Sequence, residues 1–527
     1  MQTTAYLCRV QVLISHLGYP AYGPKSVVVA GTPSTAELVG PTRTPLTVGP
    51  AEHVDRWHLG PFTRIDLPVS LPPGSYRVVA DGVASEPFDI TADPYLATLP
   101  DVVGYFRAMR SSGAIDAKDR HAALWDDPLG RTVDASGGWL DASGDTSKFL
   151  SHLTYTSTMS PQQIPLCVWA MLVAHAETGD PALLDEAMWG ADFLRRFRSP
   201  DGYFYTGVFD ALTKRLDERV VTAPLQDCVR TSRYQAGYRQ GGGLAIAALA
   251  RASAHDAGLL PVAIEAFEHL EVHNREYLFD GQESIVDDYC ALLAAAELLA
   301  AGHAEAAPAA ERRARSLLAR RDGWFTVAGR PFHHAAESGL PVLALLRFAA
   351  VQPTATWAAS GALQAMSAFL TGTHNAANPF GHPRAGAYFF PHVNDTGYWW
   401  QGENANIASL AAAAYACARH DAGRRAELVA FAEDQLAWIA GRNPFDVCMI
   451  DGKGRNNAVY SADFPPKPGG IVNGITSGWT DEHDIAFLPP DAPTGDAWRW
   501  AEQWIPHSGW YLLAVATGAA FRKDTPA

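Results

Sequence analysis

Between about residues 9 and 93, apolar residues come in short runs, QVLIS, KSVVVA, AELVG, FTRIDLPV, SYRVVAD and EPFDIT, broken at near-regular intervals by Gly, Pro and Ser. Short β-branched runs between turn formers predict strands, and this many predict a sandwich of roughly seven. The opening MQTTAYLCRVQVLISHLGYP reads as strand as well, because no basic segment leads into a longer apolar one with a small-residue cleavage site. No clustered His, Asp or Glu and no Gly-rich phosphate loop falls in this stretch, so residues 1–95 are expected to form a supporting domain.

After about residue 100 the period changes. Ala- and Leu-rich segments with helical spacing follow at 162–179, 181–197, 240–256, 260–275, 286–301, 303–320, 335–350, 355–370, 402–420 and 424–440. With helices near 101–113 and 498–518 they make about six hairpins joined by loops of very unequal length. The helices recur without a fixed sequence repeat, which disfavours a regular solenoid. A closed ring buries the same apolar faces without exposed ends, so residues 96–527 are expected to form an (α/α)6 barrel, with an irregular bundle as the alternative. The fold class is therefore a multidomain β + α chain, a β-sandwich followed by a helical barrel.

A chain of 527 residues exceeds the size at which one core stops growing, in keeping with two domains. The net charge of -15, with no long run of Lys or Arg, argues against nucleic acid or an anionic membrane as partner. Fifteen Trp, 18 Tyr and 22 Phe supply flat apolar rings with polar edges, which suit the faces of sugars although most fill cores. The six cysteines, Cys8, Cys167, Cys228, Cys290, Cys417 and Cys448, contain no close pair, which is neither a disulfide framework nor a zinc signature. No apolar stretch reaches the roughly 18 residues that cross a bilayer. As it stands the sequence reads as cytoplasmic, and a secreted chain already relieved of its leader reads the same. Nothing in it bears on oligomeric state.

Binding and catalytic groups favour loops on a rigid scaffold, and four loops, 134–161, 220–240, 374–404 and 443–498, are rich in Gly, Trp, Asp and His. In GGWLDASGDTSKFLSH, Asp141 and Asp145 sit on a Gly-rich loop after Trp139 and before Lys148 and His152. Two acids this close repel, an arrangement that suits a carboxylate activating water; a capped helix entry is the alternative. In TGDAWRWAEQWIPHSGW, Glu502 lies among Trp498, Trp500 and Trp504 at the start of an expected helix. An acid packed by indoles loses solvation and its pKa rises, as a general acid requires; a half-exposed Glu favoured by the helix dipole is the alternative. Between them Tyr398, Trp399 and Trp400 precede Gln401, Glu403 and Asn404 at the mouth of a helix, rings for stacking beside polar groups for hydroxyls. Arg233, Tyr234 and Arg239 fit salt bridging within the rim better than sugar binding. Asp481, Glu482, His483 and Asp484 fit a loop or lid better than a metal site, and His333 and His334 carry no special expectation.

The order of these features, a β-sandwich, then GGWLDASGDTSK, GGGLAIAALA at 241–250, GRNPF at 441–445 and a late Trp-flanked Glu, resembles family 9 glycoside hydrolases, the cellulase family with an immunoglobulin-like module before an (α/α)6 barrel. The resemblance spans nearly the whole chain. It implies that Asp145 is the catalytic base, Asp141 its partner in holding the water and Glu502 the general acid. It also implies inversion at the anomeric carbon, with carboxyls about 6.5–9.5 Å apart. The expected substrate is a β-linked glucan, β-1,4 first, or a cellodextrin-like oligosaccharide, and no cofactor is needed for the chemistry. Trp139, His152 and Trp500 join the 398–403 platform as expected sugar contacts.

Three departures stand out. The motif is DASGD where the family has DAGD. The family's His-His-Arg segment after GRNP is replaced by FDVCMIDGKGRNNAVYS, leaving Arg455, Asn456 and Asn457 as substitutes. The stretch 107–127, where some members bind zinc, has no Cys and only His121, while Asp287 and Asp288 leave room for structural calcium. Competing readings are an exo-acting glycosidase on other oligosaccharides, glucosamine-containing ones included, a carbohydrate-binding protein without chemistry, and a lyase, which the lack of a dense basic loop disfavours.

Overall fold

A computed structural model describes the chain apart from residues 1–9, 153–159, 226–227, 328–329, 333, 335, 375–377, 384–401, 461–464, 480, 482 and 525–527. The β-sandwich is made of β1 (Gln11–Leu13), β2 (Tyr19–Pro20), β3 (Ser26–Ala30), β4 (Ala36–Val39), β5 (Arg43–Pro45), β6 (Ala51–Glu52), β7 (Phe62–Asp66), β8 (Gly74–Ala80), β9 (Val83–Ala84) and β10 (Phe88–Thr91). One sheet has the order β1-β3-β7-β6 and the other β2-β10-β8-β4-β5, with β9 beside β8; all pairs are antiparallel except β10 with β2.

Strand β3, SVVVA, is apolar from Val27 to Ala30 because both its faces are covered. Val27 and Val29 point into the sandwich core with Ile65, Val78 and Ile90, while Val28 on the opposite face joins Phe62 and Trp57 in the barrel's core.

Twelve helices of ten or more residues follow among the described residues: α1 (Leu99–Met109), α2 (Ile164–Thr178), α3 (Pro181–Arg196), α4 (Gly243–Ala252), α5 (Leu259–Tyr277), α6 (Ile285–Ala300), α7 (Ala307–Ala319), α8 (Leu340–Val351), α9 (Thr356–Phe369), α10 (Asn404–Ala418), α11 (Arg425–Ile439) and α12 (Ile505–Asp524). The even-numbered helices touch one another in sequence, and α12 closes the ring on α2. They are apolar nearly all round, as α2 (IPLCVWAMLVAHAET) illustrates, because neighbours cover every side. Most of the odd-numbered helices bury one stripe against this ring, so the expected (α/α)6 barrel is what the chain forms.

The turns leaving the inner helices are short. Gly179 takes φ 76° after α2, and Asp180 then caps α3 with Pro181 at its first position. The connections entering the inner helices are mostly long, and all arrive at the same end of the barrel. That end is the rim on which loop residues can meet. Cys167, Cys290, Cys417 and Cys448 are buried thiols, none in a disulfide.

Where sandwich meets barrel, fully buried Arg442 binds Asp434 of α11 at 2.6 Å, the Phe380 carbonyl at 3.0 Å and the Ser26 hydroxyl of β3. Arg64 of β7 reaches the same Asp434 at 2.8 Å, and His16 binds Asp446 at 2.9 Å.

Candidate active site

Residues 141–145 fold into a tight hairpin. The Asp145 N–H donates to the Ala142 carbonyl at 3.1 Å, and Gly144 takes φ 93° in the turn, a conformation that costs residues with a Cβ dearly. The hairpin pairs along its edge with residues 502–504. Ala142 bridges to Trp504, the Ser143 N–H donates to the Gln503 carbonyl at 2.8 Å and the Ile505 N–H donates to the Asp141 carbonyl at 3.2 Å. On the other side, the Asn473 N–H donates to the Glu502 carbonyl at 2.8 Å and Val472 bridges to Gln503.

Glu502 is thus extended, with φ -69° and ψ 137°, between a four-residue helix ending at Ala501 and α12 starting at Ile505. This corrects the continuous helix expected over 498–518. Pro506, at the head of α12, marks the real start. Side chains alternate along extended backbone, so Glu502 and Trp504 share one face and Gln503 takes the other. The Trp504 indole N–H donates to Asp141 Oδ1 at 3.1 Å, which turns that face toward the acids, while the Gln503 amide is held by the Lys467 backbone.

The carboxyls have distinct environments. Asp141 is buried and also accepts from the side-chain amide of Gln163, just before α2. Burial, then the charges of Asp145 and Glu502, push its pKa well above the carboxylate range, against the pull of Trp504 and Gln163. Asp145 is half-buried and accepts the Ser147 N–H at 2.8 Å. Its pKa is raised by burial, opposed first by the Ser147 hydrogen bond. Glu502 is half-buried.

Beneath the hairpin, Arg219 forks onto Asp119 at 2.6 and 3.0 Å, Lys148 meets the same carboxylate at 2.5 Å, and Thr146 donates to Asp210 at 2.6 Å. Burial brings Lys148 down to about 8 in spite of Asp119. On the adjoining wall, wholly buried Glu337 accepts the Tyr289 hydroxyl at 2.6 Å and the Gln162 N–H at 2.9 Å, and burial lifts it to about 7. Two carboxyls of raised proton affinity on the hairpin, with a third carboxyl on the strand paired to it, can take a proton at one point and give one at another, which is what acid–base hydrolysis requires.

The remaining expected residues separate into groups. Trp139 has no exposed surface and donates to Glu186 at 2.7 Å against Phe106; Trp500 is 1% exposed and donates to Thr476 at 2.8 Å. Both are core rings with no face for a sugar. His152 is half-buried, edge-on to Trp504, and burial lowers it to about 4. Glu403, buried at the entry to α10, lies 2.7 Å from His382, whose ring sits 4.3 Å from Trp438. Tyr398, Trp399, Trp400 and Gln401 lie outside the described residues.

Arg455 forks onto Asp446 at 3.0 and 2.6 Å and Asn456 donates to the Asp446 carbonyl at 2.7 Å, which ties both side chains to the domain junction beside His16. Asn457 holds the carbonyls of Cys448, Ile450 and Lys453. Arg239 is buried and binds Asp280 at 3.0 Å and Asp287 at 3.3 Å. Asp288 binds Arg313 and Arg320, so Asp287 and Asp288 both answer to arginines rather than to calcium. Asp481 meets Arg56 at 3.0 Å and Asp484 meets His58, tying that loop to the sandwich. Among the described residues no group of three or more His, Cys, Asp or Glu is arranged to hold a metal ion.

Sequence reasoning missed Ser143, Gln163, Arg219, Glu337 and His382. Gln163 stands two residues before a proline in the first turn of α2, a position that signals a helix entry. The others carry no local signal, because their partners are distant in the chain.

A model of glycosyl hydrolase family 9 matches residues 95–461, a stretch that takes in Asp141 and Asp145 and ends before Glu502. A cellodextrinase from Butyrivibrio fibrisolvens is 24% identical over 212 residues, covering 36% of this chain and 38% of that protein, so the chain spans little more than a third of that curated relative in the match. Among solved structures, a metagenome-derived family 9 endoglucanase is similar over 97% of this chain and 99% of its own, with TM-score 0.69 and 20% identity. A Bacteroides ovatus family 9 protein covers 97% and 98% with TM-score 0.68 and 18% identity. Endoglucanase CelQ from Clostridium thermocellum, complexed with cellotriose, covers 81% and 70% with TM-score 0.52 and 16% identity. At these identities the likeness to solved structures speaks for the fold.

Proposed function

Because the chain belongs to glycosyl hydrolase family 9, we propose that it hydrolyses β-linked glucan or cellodextrin-like oligosaccharides, β-1,4 linkages first, with inversion of configuration. Asp145 takes the proton of a water that attacks the anomeric carbon, Asp141 shares in holding that water, and Glu502 protonates the leaving oxygen from the opposite side. The observation that carries this reading is the pairing of the 502–504 strand with the 141–145 hairpin, which puts Glu502 on the face from which Trp504 reaches Asp141. Replacing Glu502 by Gln keeps the shape and removes the proton. Glu502→Gln should therefore slow hydrolysis of cellotetraose by about 10²–10⁴-fold while preserving binding. The first-formed product of the unaltered enzyme should be the α-anomer by proton NMR. Undiminished activity would sink the acid assignment, and a β-anomer would sink inversion.

A second reading, cleavage beside an amino sugar, is favoured by the charge of the described rim. Asp141, Asp145, Glu337, Glu403 and Glu502 stand there with His382, while Lys148 and Arg219 are both engaged by Asp119 and Arg239 by Asp280 and Asp287. His152 and His334 are held neutral by burial, at about 4 and about 3. An excess of acid favours a cationic ring. Faster release from glucosamine oligomers than from cellodextrins would select this reading; no release from them would remove it.

A further inference from the structure

Ser143 makes two contacts with one residue of the acid's strand. Its N–H donates to the Gln503 carbonyl at 2.8 Å, and its hydroxyl accepts the Gln503 N–H at 3.0 Å. That N–H belongs to the peptide bond immediately after Glu502. Ser143 is 2% exposed and Gln503 has no exposed surface, so no solvent competes for either group. Asp145 leaves the same hairpin two residues later. The hydroxyl is the only part of this arrangement that a side-chain substitution can remove, and the one by which a side chain of the base's loop holds the acid's backbone.

We propose that Ser143 is a positioning residue that sets the placement of Glu502 relative to Asp145, so that proton delivery to the leaving group depends on its hydroxyl. The inference rests on Glu502 being the acid. Without the hydroxyl, the peptide after Glu502 loses its tie to the hairpin and is held by the Asn473 N–H on its carbonyl, while the Ser143 N–H holds the next peptide through the Gln503 carbonyl, and the carboxyl samples positions from which it misses the leaving oxygen. The loss should grow as the leaving group becomes poorer, because a good leaving group departs without a proton. Small misplacements of this kind cost on the order of a hundredfold in rate.

The test compares the full-length protein with Ser143→Ala, Ser143→Thr and Glu502→Gln on 2,4-dinitrophenyl β-cellobioside, phenyl β-cellobioside and cellotetraose. Ser143→Ala should stay within about threefold of the parent on the dinitrophenyl substrate and fall roughly 10–100-fold on the other two, mostly in kcat. Ser143→Thr, which keeps the hydroxyl, should recover much of the loss. A general loosening of the fold lowers all three rates alike, and that pattern in Ser143→Ala overturns the proposal. If Glu502→Gln discriminates by leaving group and Ser143→Ala does not, the clamp fails alone. If Glu502→Gln does not discriminate, the acid assignment fails and takes the clamp with it.

Discussion

The two ends of the barrel each bury a carboxylate beneath a tryptophan N–H, and they treat it in opposite ways. At the end where the inner helices stop, Glu297 of α6 accepts the Trp169 indole at 2.9 Å and lies between Arg251 at 3.2 Å and Arg347 at 2.7 Å. The two guanidiniums outweigh burial and bring its pKa below the usual value. At the end where the inner helices start, Asp141 accepts the Trp504 indole, but its charged neighbours are Asp145 and Glu502, and its pKa is driven up. Similar burial therefore goes with a lowered proton affinity in one place and a raised one in the other. What decides is the sign of the neighbours. One end is built to stay together, and the other holds its groups in a state they would leave if they could.

The largest effect should come from disturbing the end that is settled. Glu297→Gln strands two partly buried arginines and should destabilise the protein by about 3–5 kcal/mol. It should be read as a drop in Tm, with kcat of the surviving folded enzyme unchanged. A smaller drop accompanied by lost activity would mean that the two ends are coupled rather than contrasted.

Next comes Glu337, a buried acid of the rim whose close partners are two neutral donors. Its pKa rises from 4.5 in the ordinary case to about 7 in the fold. The carboxyl's contribution to stability is therefore complete below about pH 4.5 and is lost as the pH rises through 7, roughly 3 kcal/mol in all. Relative to Glu337→Gln, the parent should weaken progressively across that window in urea titrations. Parallel stabilities from pH 4 to 8 would remove Glu337 from the comparison.

The smallest effect on stability belongs to Asp141→Asn. With its pKa raised in the folded state, the carboxyl favours folding below the ordinary carboxylate range and opposes it above. The amide should then raise Tm at pH 7 and give no advantage near pH 3. Hydrolysis should fall at the same time. A lower Tm at pH 7 would show that Trp504 and Gln163 need the full carboxylate.

The helical ring was readable because its signal is local. Inner helices such as IPLCVWAMLVAHAET are apolar on all sides, outer ones mostly on one, and each turn carries its own stop residues. The three candidate acids stood out for a similar reason, since Asp141 and Asp145 lie on a Gly-rich loop and Glu502 lies in a cluster of indoles. What could not be read was which indole faces the acids. Trp500 and Trp504 both stand two residues from Glu502, but Trp500 belongs to a helical turn and points into the core, while Trp504 shares an extended strand with the acid. That difference comes from the pairing of residue 142 with residue 504, a register no nearby residue announces. Trp139 misled in the same way, because proximity in sequence to Asp141 says nothing of the side on which a ring lands. Arg455 and Asn456 follow the GRNPF turn, but their partner Asp446 faces His16 of the sandwich.

The Arg442 junction has a bearing on how such a chain can be rebuilt. Its guanidinium joins β3 to the last outer helix, and the sandwich presents Val28 and Phe62 from its sheet and Trp57 from the β6–β7 connection to the barrel. A sandwich joined in this manner is not a tether or an accessory that can be shuffled away. It is a keystone: a catalytic half expressed alone would carry an oily scar and an Asp434 stripped of Arg64, and would be expected to precipitate before it could be assayed.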